Sequence, residues 1–134
     1  MIEATVGYSA DERGAGVAYV ELQAAQTRKL IRVCFTVARY PALLGREIGY
    51  AAMAAVVERI VELGCFRVAF HLNDAALIED LRERRDVPAP LTLSYVTLRC
   101  ALNRLADYHL ADGGLSAEGL NARARAEVAL HVAA

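Results

Sequence analysis

The chain has 134 residues, 56% hydrophobic and 23% charged, with a formal net charge of −1. Those values describe one ordered domain that can bury a core without disulfides or structural metal, and exclude a disordered or fibrous chain. No apolar run approaches the roughly 18 uncharged residues of a membrane span, and near-neutrality removes the simplest argument for gripping phosphates, which usually takes a basic face.

The N-terminus enters strand-like sequence at once, without the basic and apolar regions of a secretory signal, so a cytoplasmic location is expected. Cys34, Cys65 and Cys100 have no metal-ligand spacing and read as small apolar residues. Ile2 to Ser9 alternates loosely as a first strand and turns at Asp11-Glu12-Arg13-Gly14. Val17 to Leu22 resumes the extended pattern, Gln26 to Lys29 turns again, and Leu30 to Val37 is rich in β-branched and aromatic residues. Three strands on short polar turns predict an antiparallel meander.

After Pro41 and Gly45 the period changes. Ile48, Ala52, Val56, Ile60 and Leu63 recur at three- and four-residue steps, which predicts an amphipathic helix capped by Gly64. Phe66 to Leu72 suits a short buried parallel strand. Asp74 is placed to cap a second helix, with Leu77, Ile78 and Leu81 inside; the outer cluster Arg82, Arg84 and Arg85 has the charge to contact phosphate but, interleaved with Glu83 and Asp86, reads better as a solvated face. Pro88 and Pro90 stop it. Leu91 to Val96 is expected as a fifth strand and Leu98 to Ala111 as a third helix. Gly113-Gly114 then forms a hinge before an alanine-rich helix from about Ser116. The expected fold is α/β: a mixed five-stranded sheet in the order β-β-β-α-β-α-β-α, flanked by helices, with a core domain over 1–112 and a helical extension over 113–134.

That order, together with several local features, resembles the ribonuclease H family over residues 2 to 111. Gly14-Ala15-Gly16-Val17-Ala18 is similar to the glycine-rich start of the family's second strand, and Gly49-Tyr50-Ala51-Ala52 falls where its first helix usually has Glu-Tyr-x-Ala. Asn73-Asp74 falls where Asp-Ser ends its fourth strand. Asn103-Arg104-Leu105-Ala106-Asp107 resembles the Asn-x-x-Ala-Asp motif of its last core helix.

The resemblance implies a site of four carboxylates holding two divalent metals over a scissile phosphodiester. Here those positions fall on Gly7, Gly49, Asn73 and Asp107, with Thr5 and Ser9 as alternatives for the first. Magnesium needs several hard oxygen ligands to displace its own water. Glycines offer none, and Asn73 keeps an oxygen without the charge. Asp107 and Asn73 remain as weak metal ligands at best, and no catalytic residue and no cofactor are expected. Glu47 lies about 200° around the helix from Gly49, and Asp74 reads better as a cap than as a ligand. His71 is a lone histidine on a strand, with no second ligand near it in sequence. Asn103 has an ordinary use in bonding nearby backbone.

The expected function is therefore a catalytically degenerate ribonuclease H-like domain acting in binding or assembly, with nucleic acid or a protein as partner and no membrane. The alternative is an active endonuclease cutting the RNA of RNA–DNA hybrids, with magnesium or manganese on a rearranged set such as Asp107, Asp74, Glu47 and Asp11. Leu120, Val128, Leu130 and Val132 make the last helix a candidate for homodimer formation, although packing on its own domain is the simpler expectation.

Overall fold

The computed structural model describes residues 1–37, 45–83 and 86–133. Strands β1 (Ile2–Ala10), β2 (Ala15–Ala24) and β3 (Thr27–Thr36) form the meander. The β1–β2 turn is held by the Asp11 carboxylate, which accepts the amides of Arg13 at 2.8 Å and Ala15 at 3.0 Å. Helix α1 (Arg46–Glu62) follows, then strand β4 (Arg67–Leu72), helix α2 (Ala75–Glu83) and helix α3 (Thr92–Leu102). Strand β5 (Asp107–Asp112) and helix α4 (Gly114–Ala133) complete the order. The sheet order is β3-β2-β1-β4-β5, with β4 and β5 parallel to β1. Pro41, Arg84 and Arg85 lie outside the described residues.

Periodicity explains most of these elements. Ala4, Val6, Ala18 and Val20 point to one face of the sheet, where Met53, Val56 and Ile60 of α1 meet them with Leu98 and Leu102 of α3. Val17 and Tyr19 point to the other face and meet Leu120, Ala124 and Val128 of α4. Gly64 ends α1 at φ +84°, which glycine adopts without penalty. Its amide bonds the Val61 carbonyl and that of Cys65 the Ile60 carbonyl, the paired bonds of a Schellman cap.

Two expectations are corrected here. The segment Leu91 to Val96 is helical, beginning with a short 3-10 turn over Ala89–Leu91. Leu91, Leu98, Leu102 and Leu105 are buried at seven-, four- and three-residue steps, whereas Leu93, which a strand would have turned inward, is 75% exposed. The fifth strand is instead Asp107–Asp112, an edge strand in which Leu110 alone is buried. An edge strand with one face half-covered carries no strong apolar alternation, so its sequence reads as polar. Helix α3 thus ends at Leu102, well short of Ala111.

The second correction concerns Gly113-Gly114. The Gly113 amide bonds both the Leu72 carbonyl and the Asn73 Oδ1, and the residue packs against Ala117. Those bonds tie the junction to the end of β4, where the sequence suggested a free hinge. Helix α4 lies along its own sheet, tied by Glu127, which accepts the Tyr19 hydroxyl and two Arg32 N–H groups. Arg123 lies over the Tyr19 ring, 4.5 Å from its centre.

Helix α2 is tied to α1 by a buried carboxylate: Asp80, 6% exposed, accepts from Arg46 and from the Tyr50 hydroxyl. Removing one member of such a group leaves the others unpaired, at a cost of about 3–5 kcal/mol. Asp80→Ala should lower unfolding stability by an amount of that order in urea titrations monitored by circular dichroism. An unchanged midpoint would show that the pair contributes nothing net.

Candidate functional site

The carboxyl ends of β1 and β4 are where the sequence places three candidate positions, and the chain does bring those three to this end of the sheet. Gly7 lies on the α4 face of β1, with Tyr8 next to it on the α1 face. Asn73 and Asp74 follow β4, and Gly49 stands in the first turns of α1. Thr5 and Ser9 share the face of Gly7 by strand alternation and carry no carboxylate.

Both glycines are filled positions. A Cβ at residue 7 would overlap the backbone of Leu120 and Asn121 in α4. A Cβ at residue 49 would overlap the Asp74 carboxylate. That carboxylate is occupied twice over: it accepts the Leu77 amide at 3.2 Å, capping α2, and the Tyr8 hydroxyl at 2.6 Å. Burial, and then the Asp74 charge and hydrogen bond, raise the Tyr8 pKa far beyond its usual range, so the phenol stays protonated as the donor.

On the α4 face the polar groups are mostly neutral or paired. β4 stops pairing with β1 at Leu72 opposite Val6, and the Tyr8 amide beyond that point is accepted by Asn121 Oδ1 at 2.8 Å. Asn73 accepts the Gly113 amide at 3.2 Å and donates to the Gly114 carbonyl at 2.9 Å. Glu118 bonds Arg125 at 2.9 Å and also meets Asn121 and Asn73. The Arg125 hydrogen bond, with smaller help from Asn121, holds the Glu118 carboxyl below its ordinary pKa.

Asp107 does not belong to this group, which corrects its expected place on the last core helix beside Asn73. It opens β5 opposite Arg67, five residues before the Asp112–Leu72 pair, or about 16 Å toward the other end of the sheet at ~3.3 Å per residue. Nor do the substitutes gather. Asp11 holds its turn, Asp74 its cap, and Glu47 is buried on the α1 surface that faces β3 and α3. Among the described residues no three His, Cys, Asp or Glu side chains stand together as a metal site. A pair of magnesium ions does not fit this donor set. His71 pairs with Glu3 of the neighbouring strand, an ordinary structural use.

Glu118, Asn121 and Arg125 are the residues that the sequence reading missed. The signal was present: Asn121-Ala122-Arg123-Ala124 has the Asn-x-x-Ala spacing on the helix that truly closes the fold. Arg125 follows where the motif has aspartate. The carboxylate that does approach Asn73, Glu118, stands two turns earlier.

Solved structures similar to this chain agree with the topology. The ribonuclease H1 of the halophilic archaeon Halobacterium salinarum superposes with a TM-score of 0.73, covering 95% of this chain and 96% of that one at 17% identity. The chain has the ribonuclease H fold. The N-terminal ribonuclease H domain of a Mycobacterium tuberculosis protein is similar at a TM-score of 0.69 and 14% identity, over 92% and 94% of the two chains. LC11 ribonuclease H1, solved in complex with an RNA/DNA hybrid, gives 0.62 at 12% identity, over 94% and 92%. At these identities the likeness is one of fold. No protein-family model and no curated protein matches the sequence.

Two measurements test the geometry. Gly7→Asp should force α4 outward, lowering stability by about 1–3 kcal/mol as overpacking does and speeding amide exchange along α4. Stability equal to the parent, with saturable magnesium binding, would mean that the helix yields and the ribonuclease H metal site can be rebuilt. Separately, the Asn73 and Asn121 side-chain amides should titrate with Glu118 below the ordinary glutamate value. The folded pKa is depressed, so the contact persists above that value and is lost as pH falls through the folded pKa. A midpoint at or above the ordinary value would remove Arg125 as Glu118's partner.

Proposed function

We propose that this chain is a catalytically silent ribonuclease H-fold domain serving as a binding or assembly module. The observation that carries the reading is the seat of α4 on Gly7, where helix backbone takes the space that a ligand side chain would need. Two-metal hydrolysis depends on several carboxylates gathered around the ions to activate water and steady the leaving oxygen. At this end of the sheet the charges instead cancel locally, Glu118 against Arg125, with Asn73 and Asn121 supplying amides.

The charge distribution bears on the partner. Arg28, Arg32, Arg46, Arg59 and Arg125 are each paired with a carboxylate of the same chain. A nucleic-acid backbone is held by cations released from such pairing, since affinity comes from neutralising phosphates. With these five tied up and a net charge of −1, the reading favours a protein surface over a duplex across the α4 face. Arg82 and Arg99, at the β5 edge, bond neutral acceptors instead, and LC11 ribonuclease H1, with the same fold, was solved with an RNA/DNA hybrid.

Single-turnover incubation of excess protein with an end-labelled RNA/DNA hybrid, in magnesium and then in manganese, tests both parts. No cleavage above the protein-free control is expected, with weak hybrid binding that disappears as salt rises. Cleavage that copurifies with the folded chain and vanishes in Asp74→Asn would establish the active-nuclease reading in its place.

A further inference from the structure

Away from the face just described, the outer edge of the sheet carries a cavity of about 430 Å³ lined by Leu81, Arg82, Arg99, Tyr108, His109 and Leu110. It opens where β5 meets the last turns of α2 and α3. Among the described residues, two guanidinium groups line it and no carboxylate does. We infer that this cavity is a binding site for a phosphate-type oxyanion, held between Arg82 and Arg99 with the Tyr108 hydroxyl beside them.

The donor count supports this. Each guanidinium has five N–H groups in a fixed fork. Arg99 uses three, on the Tyr95 hydroxyl at 2.9 Å, the Tyr108 hydroxyl at 3.2 Å and the Leu81 carbonyl, which leaves two. Arg82 uses one, on the Leu110 carbonyl, which leaves four. All four acceptors are neutral, so neither positive charge is cancelled by the group that positions it. Arg99 also lies over the Tyr95 ring, 5.3 Å from its centre, so its orientation is fixed before any ligand arrives.

Charge gives the reason for an occupant. Two cations lining one cavity repel each other, and the nearby α2 C-terminus offers only about half a negative charge. An oxyanion relieves that repulsion and takes up the remaining donors, which belong to two forks set on different elements. A tetrahedral dianion with several oxygens suits that arrangement better than a single carboxylate, which one fork would satisfy. The site lies beyond β4 from Gly7 and uses none of the residues in the proposed function, so it stands or falls separately.

The test is a titration of the isotope-labelled full chain with sodium phosphate, against sodium chloride at equal ionic strength. Phosphate should produce saturable shifts at the Arg82 and Arg99 Nε–H signals and at the Tyr108 and His109 amides, with chloride producing none. Arg82→Gln, which removes one exposed side chain and a single hydrogen bond, should weaken phosphate binding about tenfold or more without changing the unfolding midpoint appreciably. Arg99→Lys keeps the charge but loses the fork, and should weaken binding similarly. Equal shifts with chloride, unlocalised shifts across other arginines, or undiminished affinity in Arg82→Gln would each overturn the site. A second arm identifies the source of the anion: a short RNA with and without a 5′ phosphate. Binding that requires the terminal phosphate assigns the site to phosphomonoesters, and equal affinity for both RNAs assigns it to the phosphodiester backbone. Phosphate binding with neither RNA bound assigns it to small free anions.

Discussion

The closeness of α4 to β1 is the constraint on which the rest of this end of the molecule depends. It is made possible by Gly7, whose missing Cβ leaves room for the Leu120–Asn121 backbone, and the fully buried Ala117 and Ala124 keep the same helix close to Gly113 and to β2. A helix that approaches a sheet so closely brings its own polar side chains within reach of the strand ends. Asn121 then takes up a strand amide that β4 has left without a ladder partner, which matters because an unpaired buried amide costs about as much as a lost hydrogen bond. The Arg32–Glu127–Tyr19 tie further along the helix fixes the same approach from the other end of the contact.

Two asparagines organise this region. An amide side chain both donates and accepts, so Asn73 can join β4 to the β5–α4 junction by holding an N–H and a carbonyl at once. A carboxylate at that position would accept from Gly113 but repel the Gly114 carbonyl unless a cation lay between them. Asparagine joins the two segments through hydrogen bonds of its own, where an acid would need a cation beside it. The same logic applies to Asp74, whose charge is satisfied by a helix cap and a phenol held protonated by burial.

Much of the fold was legible because burial follows period. The meander, α1, β4 and α2 all carry clear alternation or three-to-four spacing on one face, and each lies close to where that pattern puts it. The misassigned elements fall together between Leu91 and Asp112. There the helix exposes leucine at 93, and the strand Asp-Tyr-His-Leu-Ala-Asp at the sheet edge buries one residue. Local composition does not report tertiary position in such segments: an edge strand has only one neighbour to satisfy. That displacement carried the motif with it. Asn103 to Asp107 matched a pattern by letter at the other end of the sheet from Asn73, while Asn121 and Ala124 carry the same Asn-x-x-Ala spacing on the helix beside it.

The site was legible in its positions more than in its surroundings. Order and spacing were enough to place Gly7, Gly49 and Asn73 near one end of the sheet. What fills the space beside the glycines was not legible, since it comes from elsewhere in the chain: the α4 backbone for one and the Asp74 carboxylate for the other. This distinction bears on function. An empty glycine position beside water leaves room for a ligand or for reversion by one substitution. A filled one means that the surrounding packing has closed over it, and at Gly7 a side chain of any kind requires moving a helix. Close-packed interiors do not deform continuously to admit an extra side chain, so a larger residue at position 7 has to displace the helix contact that holds this end of the molecule together.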